Sequence, residues 1–125
     1  MSQPYKQPTA ADIILQQLGG QRRLKIVMGA KDFFSDGKYN QTLVFKFTCR
    51  AKEGINYIRI TLNSNDTYDL EFIKIGRKKD KELGIFLPVH NVVNTFQGAY
   101  AEMLASVINS HTGLIINPRF QRVER

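Results

Sequence analysis

A chain of 125 residues has the length of one domain whose core needs no disulfide or metal to hold it. Its 42% hydrophobic content excludes a disordered chain, and no apolar run approaches the roughly 18–20 residues of a membrane span. The formal charge of +7, from 18 lysines and arginines against 11 aspartates and glutamates, attracts phosphate backbones, acidic protein surfaces or anionic lipid. The single cysteine, Cys49, excludes an intramolecular disulfide and argues for a reducing compartment. The N-terminal MSQPYKQPT has no apolar signal core, so the expected location is cytoplasmic.

Taken in order, residues 1–8 read as a flexible tail, 9–116 as one domain and 117–125 as a basic tail. Thr9 is placed to cap a short helix, with Asp12 in the capping-box position, Ile13, Ile14 and Leu18 as its apolar side, and Gly19-Gly20 as its stop. Arg22-Arg23 leads into Leu24-Lys25-Ile26-Val27-Met28, which predicts a strand, with a bulge or close backbone approach at Gly29-Ala30. Phe33-Phe34 before Ser35-Asp36-Gly37-Lys38 predicts a loop tip that presents aromatic and basic residues. From Thr42 to Thr48 a second strand puts Leu43, Phe45 and Phe47 on one face and Val44, Lys46 and Thr48 on the other.

Gly54 to Gly76 is the clearest structural signal, two alternating runs around Asn63-Ser64-Asn65-Asp66. Making the apolar faces coincide pairs Leu62 with Tyr68, Ile60 with Leu70 and Ile58 with Phe72, and sets Arg59 opposite Glu71. Arg77-Lys78-Lys79-Asp80-Lys81-Glu82 is the densest charge run. Gly84 to Leu87 then predicts a short edge strand ended by Pro88. Helical spacing at Val92/Val93, Phe96, Ala99/Tyr100, Met103/Leu104 and Val107/Ile108 predicts a helix over Val92–Ser110, capped by Asn91 and closed by Gly113. Together these elements predict an α+β fold. An antiparallel sheet of about four or five strands carries a short N-terminal helix and a long C-terminal helix on one face, the long helix packing on Ile58, Ile60, Leu62, Leu70 and Phe72.

No catalytic or metal constellation stands out, and the expectation is a non-enzyme without cofactor or metal. His111 falls near the end of the predicted helix, where its cation favours the helix dipole. Cys49 ends a strand and reads as a buried, inert thiol. Asp66, Asp69 and Glu71 cluster at the hairpin, but Asp69 and Glu71 fall on its solvated face and read as structural. The basic residues carry the functional expectation. Arg22, Arg23 and Lys25, then Lys31, Phe34 and Lys38, then Arg77, Lys78, Lys79 and Lys81, interleave cations with aromatic rings as a nucleic-acid surface does.

The pattern ILQQLGG…KIVMGAKDF…LVFKF…GINYIRITLN…DTYDLEF…AYAEMLASVINSHTGL covers residues 13–114. It resembles a group of small uncharacterised proteins encoded by bacteriophages, prophages and mobile elements. Its most specific pieces are Met28-Gly29-Ala30-Lys31, Gly54-Ile55-Asn56-Tyr57, Ile60-Thr61-Leu62-Asn63 and Thr112-Gly113-Leu114. What the resemblance implies is a setting in the bacterial cytoplasm, and it carries over no catalytic or binding residue. The sequence therefore points first to a small phage-type protein that binds DNA or RNA mainly through backbone phosphates. The alternative is a protein-interaction module, an inhibitor or modulator of a host protein or a virion component. That module would use Tyr57, Thr61 and Ile73 or an exposed strand edge, and the same edge can pair two copies as a homodimer.

Overall fold

The computed structural model describes residues 9–36 and 41–116. Five strands form one antiparallel sheet in chain order: β1 (Lys31–Asp36), β2 (Thr42–Lys46), β3 (Tyr57–Leu62), β4 (Tyr68–Asp80) and β5 (Ile85–Ala99). Three helices, α1 (Ala10–Gln17), α2 (Gln21–Met28) and α3 (Leu104–Thr112), supply the other side of the core. Among the described residues no helix is long and apolar enough to cross a membrane.

The β3–β4 hairpin has the register that its apolar faces require. Leu62 pairs with Tyr68, Ile60 with Leu70 and Ile58 with Phe72, while Arg59 reaches Glu71 at 3.5 Å on the outer face. The turn is set by Asn63, whose side-chain oxygen accepts from the amides of Asn65 (2.8 Å) and Thr67 (3.2 Å). Leu43, Phe45, Ile58, Ile60, Leu70 and Phe72 then form one buried apolar surface. On the opposite face Val44 and Ile73 are also buried, although the helices share the other side; in register they lie between Phe34 and Arg59, and between Tyr57 and Val92.

At the start of α1 the capping box closes in both directions. The Asp12 amide donates to Thr9 Oγ1 at 3.2 Å, and the Thr9 amide donates to Asp12 Oδ2 at 3.0 Å. Ala11, Ile14 and Leu18 are buried, and α1 lies on β2.

Four expectations are corrected. Leu24–Met28 is helical, not a strand: Gln21-Arg22-Arg23 are good helix formers, and Leu24 and Met28 are buried one turn apart while Ile26 is 74% exposed. A strand would have put all three on one face. Phe33-Phe34 lies within β1 rather than at a loop tip, because Phe33 packs against Phe45 at 5.2 Å and Phe34 pairs with Val44. The short edge strand at Gly84–Leu87 is instead the start of the fifteen-residue β5, which runs through Pro88. The helix over Val92–Ser110 exists only in its second half, as the nine-residue α3. Val92 to Phe96 is rich in β-branched and aromatic residues, and as strand it pairs the thirteen-residue β4, whose edge a helix would have left bare. Leu104, Val107 and Ile108 still point inward, so three short helices share the cover that one long helix was expected to give.

Gly29 ends α2 in the left-handed region, with φ at 69°, and its amide and that of Ala30 turn back to the carbonyls of Lys25 and Leu24. The backbone after β2 closes against this end, Thr48 and Cys49 both donating to Met28 O (3.2 and 3.0 Å). A Cβ at Gly29 would collide with the Thr48 side chain. Gly29→Ala is expected to lose at least about 1–2 kcal/mol from the backbone conformation alone, read by urea denaturation. A loss below about 0.5 kcal/mol would contradict this packing.

Candidate nucleic-acid interface

Chain order places the longest two strands last, and they outrun the sheet. β3 begins at Tyr57, opposite Ile73. Just before it, Asn56 extends the ladder by two further bonds with its side chain. Its Nδ2 donates to Ile75 O at 3.0 Å, and its Oδ1 accepts from the Ile75 amide at 2.8 Å. Beyond that clamp β4 pairs only with β5, from Gly76–Val89 to Asp80–Ile85. This two-stranded ribbon extends about 17 Å at roughly 3.4 Å per residue. Its tip is fixed by Asp80, whose carboxylate accepts from the amides of Glu82 and Leu83 (2.9 Å each), while its carbonyl accepts from Gly84 at 2.8 Å.

The two strands differ in chemistry. Beyond Ile73, β4 and the tip carry Lys74, Arg77, Lys78, Lys79 and Lys81 against Asp80 and Glu82. From Ile85 to Ala99 there is no lysine, arginine, aspartate or glutamate. Ile85, Phe86 and Leu87 are exposed by 51%, 62% and 37%, which presents an apolar strip beside the basic one. Side chains alternate across the ribbon, so Ile75/His90, Arg77/Pro88 and Lys79/Phe86 continue the outer sheet face, and Lys78/Leu87 the other. At the root, the rings of Tyr57 and His90 lie 6.0 Å apart. A shallow concavity of about 630 Å³ is lined by Lys78, Lys79 and Lys81 together with Asp80, Glu82 and Pro88.

The basic groups do not all meet. Arg77, Lys78, Lys79 and Lys81 share the ribbon. Arg22, Arg23 and Lys25 belong to α2 in the helical layer, where Arg22 and Arg23 line a separate concavity of about 380 Å³. Lys38 lies outside the described residues, as do both tails. Phe34 is on β1 in the outer face and 61% exposed.

Lys31 opens β1 directly opposite Lys46 of β2, and with Arg50 they line a cleft of about 500 Å³ that ends at Asn56 and Ile75, the root of the ribbon. Sequence reasoning missed Lys46 and Arg50, because register and a loop bring them to Lys31. The sequence shows Lys46 only as an outward-facing strand position, and nothing local joins it to Lys31.

The remaining polar groups are accounted for structurally. Asp69 accepts from Asn63 Nδ2 and from the Gly98 amide, at 3.1 Å each. His111 stacks on Phe72 with centroids 4.5 Å apart and planes 2° from parallel. Its Nδ1 meets Val107 O at 2.9 Å in the last turn of α3, so the ring is a packing element as well as a helix-end residue. Cys49 is half-buried rather than buried, its thiol donating to Val27 O at 3.5 Å. Burial, and secondarily the Asp66 charge, raises the Tyr68 phenol above its ordinary value. Among the described residues no group of histidine, cysteine and carboxylate side chains could hold a metal ion. Comparison with known proteins finds no matching family model, no similar curated protein and no similar solved structure.

Proposed function

We propose that the protein is a non-enzymatic nucleic-acid binder that lays the β4–β5 ribbon into the major groove of duplex DNA. The observation that supports this most is the division of the protruding ribbon into one basic and one uncharged strand. A B-form major groove, about 12 Å wide, admits a two-stranded ribbon, whereas that of A-form RNA is too narrow. Arg77, Lys78, Lys79 and Lys81 reach the phosphate walls. Ile85, Phe86 and Leu87 provide apolar contact such as a thymine methyl accepts. Binding is mainly to the backbone and falls with salt. The resemblance of the sequence to phage and mobile-element proteins is what supports a bacterial cytoplasm as the proposed setting.

A second reading has its own support in the uncharged outer edge of β5. Edge strands are commonly blunted with charge, and this one has none over fifteen residues. A second copy of the chain pairing there would make a homodimer.

One variant tests both. Pro88 has no amide hydrogen, so its pair with Arg77 is non-hydrogen-bonded and the neighbouring Gly76–Val89 pair is bonded. Replacing Arg77–Pro88 by Asn-Gly therefore closes a two-residue turn on Gly76 and Val89 and leaves the sheet whole. Circular dichroism should report an unchanged fold, and fluorescence anisotropy should report at least about a hundredfold loss of duplex affinity. Undiminished binding would overturn the ribbon reading. Light scattering should give a dimer mass for the shortened chain if β5 pairs along His90–Ala99, and a monomer mass for the parent removes the second reading.

A further inference from the structure

We infer that the cleft at the root of the ribbon is a binding site for the phosphate monoester of a nucleotide. Lys31 and Lys46 face each other across neighbouring antiparallel strands. Like charges directly opposite each other destabilise a sheet, so this position is at odds with folding alone. Arg50, in the loop after β2, lines the same cleft, and no carboxylate does. None of the three cations has a hydrogen-bond or ion-pair partner among the described residues. The cations therefore come from a strand start, a strand end and a loop, and an anion between them relieves the repulsion that the sheet imposes. An arginine adds the planar fork that grips two phosphate oxygens.

Phosphate alone does not account for the rest of the cleft. Half-buried Ile75 contributes apolar wall over the buried Phe47 and Ile55, and the volume of about 500 Å³ falls in the ordinary range for small-molecule sites. An anionic head with a flat aromatic base, whose faces pack on apolar wall while its edges stay polar, fits that division, which is the chemistry of a nucleotide. Thr48 also lines the cleft, with its hydroxyl turned to Gly29 O at 3.5 Å. This site goes beyond the ribbon reading, since Lys31, Lys46 and Arg50 all remain when Arg77–Pro88 is removed.

The phosphate can come from a free nucleotide or from the 5′ end of a strand. The full-length protein is titrated with adenosine 5′-monophosphate and with adenosine, followed by amide chemical shifts. Paired duplexes with and without a 5′ phosphate are compared by anisotropy. The monophosphate should shift amides around residues 46–56 with an affinity at least about tenfold above that of adenosine. Lys46→Gln and Arg50→Gln should each lower it about tenfold, while Lys25→Gln on α2 and the ribbon-shortened chain leave it unchanged. Without ligand, Lys46→Gln should melt no lower than the parent, because it removes a like-charge pair; a structural lysine would do the opposite.

A preference for 5′-phosphorylated duplex that Arg50→Gln abolishes assigns the site to a strand end. Monophosphate binding without that preference assigns it to the free nucleotide. Equal affinity for adenosine and its monophosphate, or no shift and no end preference up to about 1 mM, overturns the proposal.

Discussion

Replacing Arg77, Lys78, Lys79 and Lys81 together by glutamine is expected to remove most of the salt dependence of duplex binding. Each neutralised phosphate contributes about 0.9 to the slope of log affinity against log salt, so four contacts contribute about 3.6. The parent protein should accordingly lose about 150-fold in affinity between about 50 and 200 mM salt through these four alone. In the variant that part of the slope disappears, and affinity at the lower salt falls by a comparable factor. The fold should be unaffected, because all four side chains are exposed and removing them relieves like charge along one strand. The matching variant on α2, with Arg22, Arg23 and Lys25 changed to glutamine, should keep the parent slope. If instead the α2 variant flattens the slope and the ribbon variant does not, the helical layer is the binding surface and the ribbon reading fails.

The largest effect on stability is expected at Phe72. Its side chain is fully buried, pairs with Ile58 across the hairpin, and has its ring stacked on His111 of α3. Phe96 meets the same imidazole edge-on at 6.0 Å. Phe72→Ala removes the ring and leaves a cavity that the sheet backbone cannot collapse to fill, a loss of about 3–5 kcal/mol. Urea denaturation should show it as a lower midpoint with an unchanged slope. Phe34→Ala, at an exposed position on the other face where the ring pairs with Val44, should cost no more than about 1 kcal/mol. A Phe72→Ala loss below about 1.5 kcal/mol would mean that α3 does not close the core over β4.

What could be read from the sequence follows from how local each signal is. Period-two patterning and a turn cluster specify the β3–β4 register almost alone, since one slip would turn Ile58, Ile60, Leu70 and Phe72 into solvent. Thr9 and Asp12 specify a helix start within four residues. The stretch from Val92 to Ala99 failed because its apolar spacing fits a helix as well as a strand, and the free edge of β4 decided the matter from outside. The same holds for Leu24–Met28, where Leu24, Ile26 and Met28 alternate but only two of them find the core. The candidate site shows the same limit. Arg77 to Lys81 is visible as a charge run, whereas its place on a ribbon depends on β5, and the meeting of Lys31 with Lys46 and Arg50 depends on β1–β2 pairing.

A sheet whose strands lie side by side in chain order also has a consequence for how the chain acquires its structure. Each strand finds its partner across a short intervening segment, so little loop entropy is lost before a contact is gained, and rapid folding is expected. Growing from its N-terminus, the chain can lay α1 on β2 and add strands one at a time as they emerge. The ring of Phe72 waits longest. Its cover, the nine residues of α3, is made only after the whole ribbon has been synthesised, so the core is sealed last and from its C-terminal side.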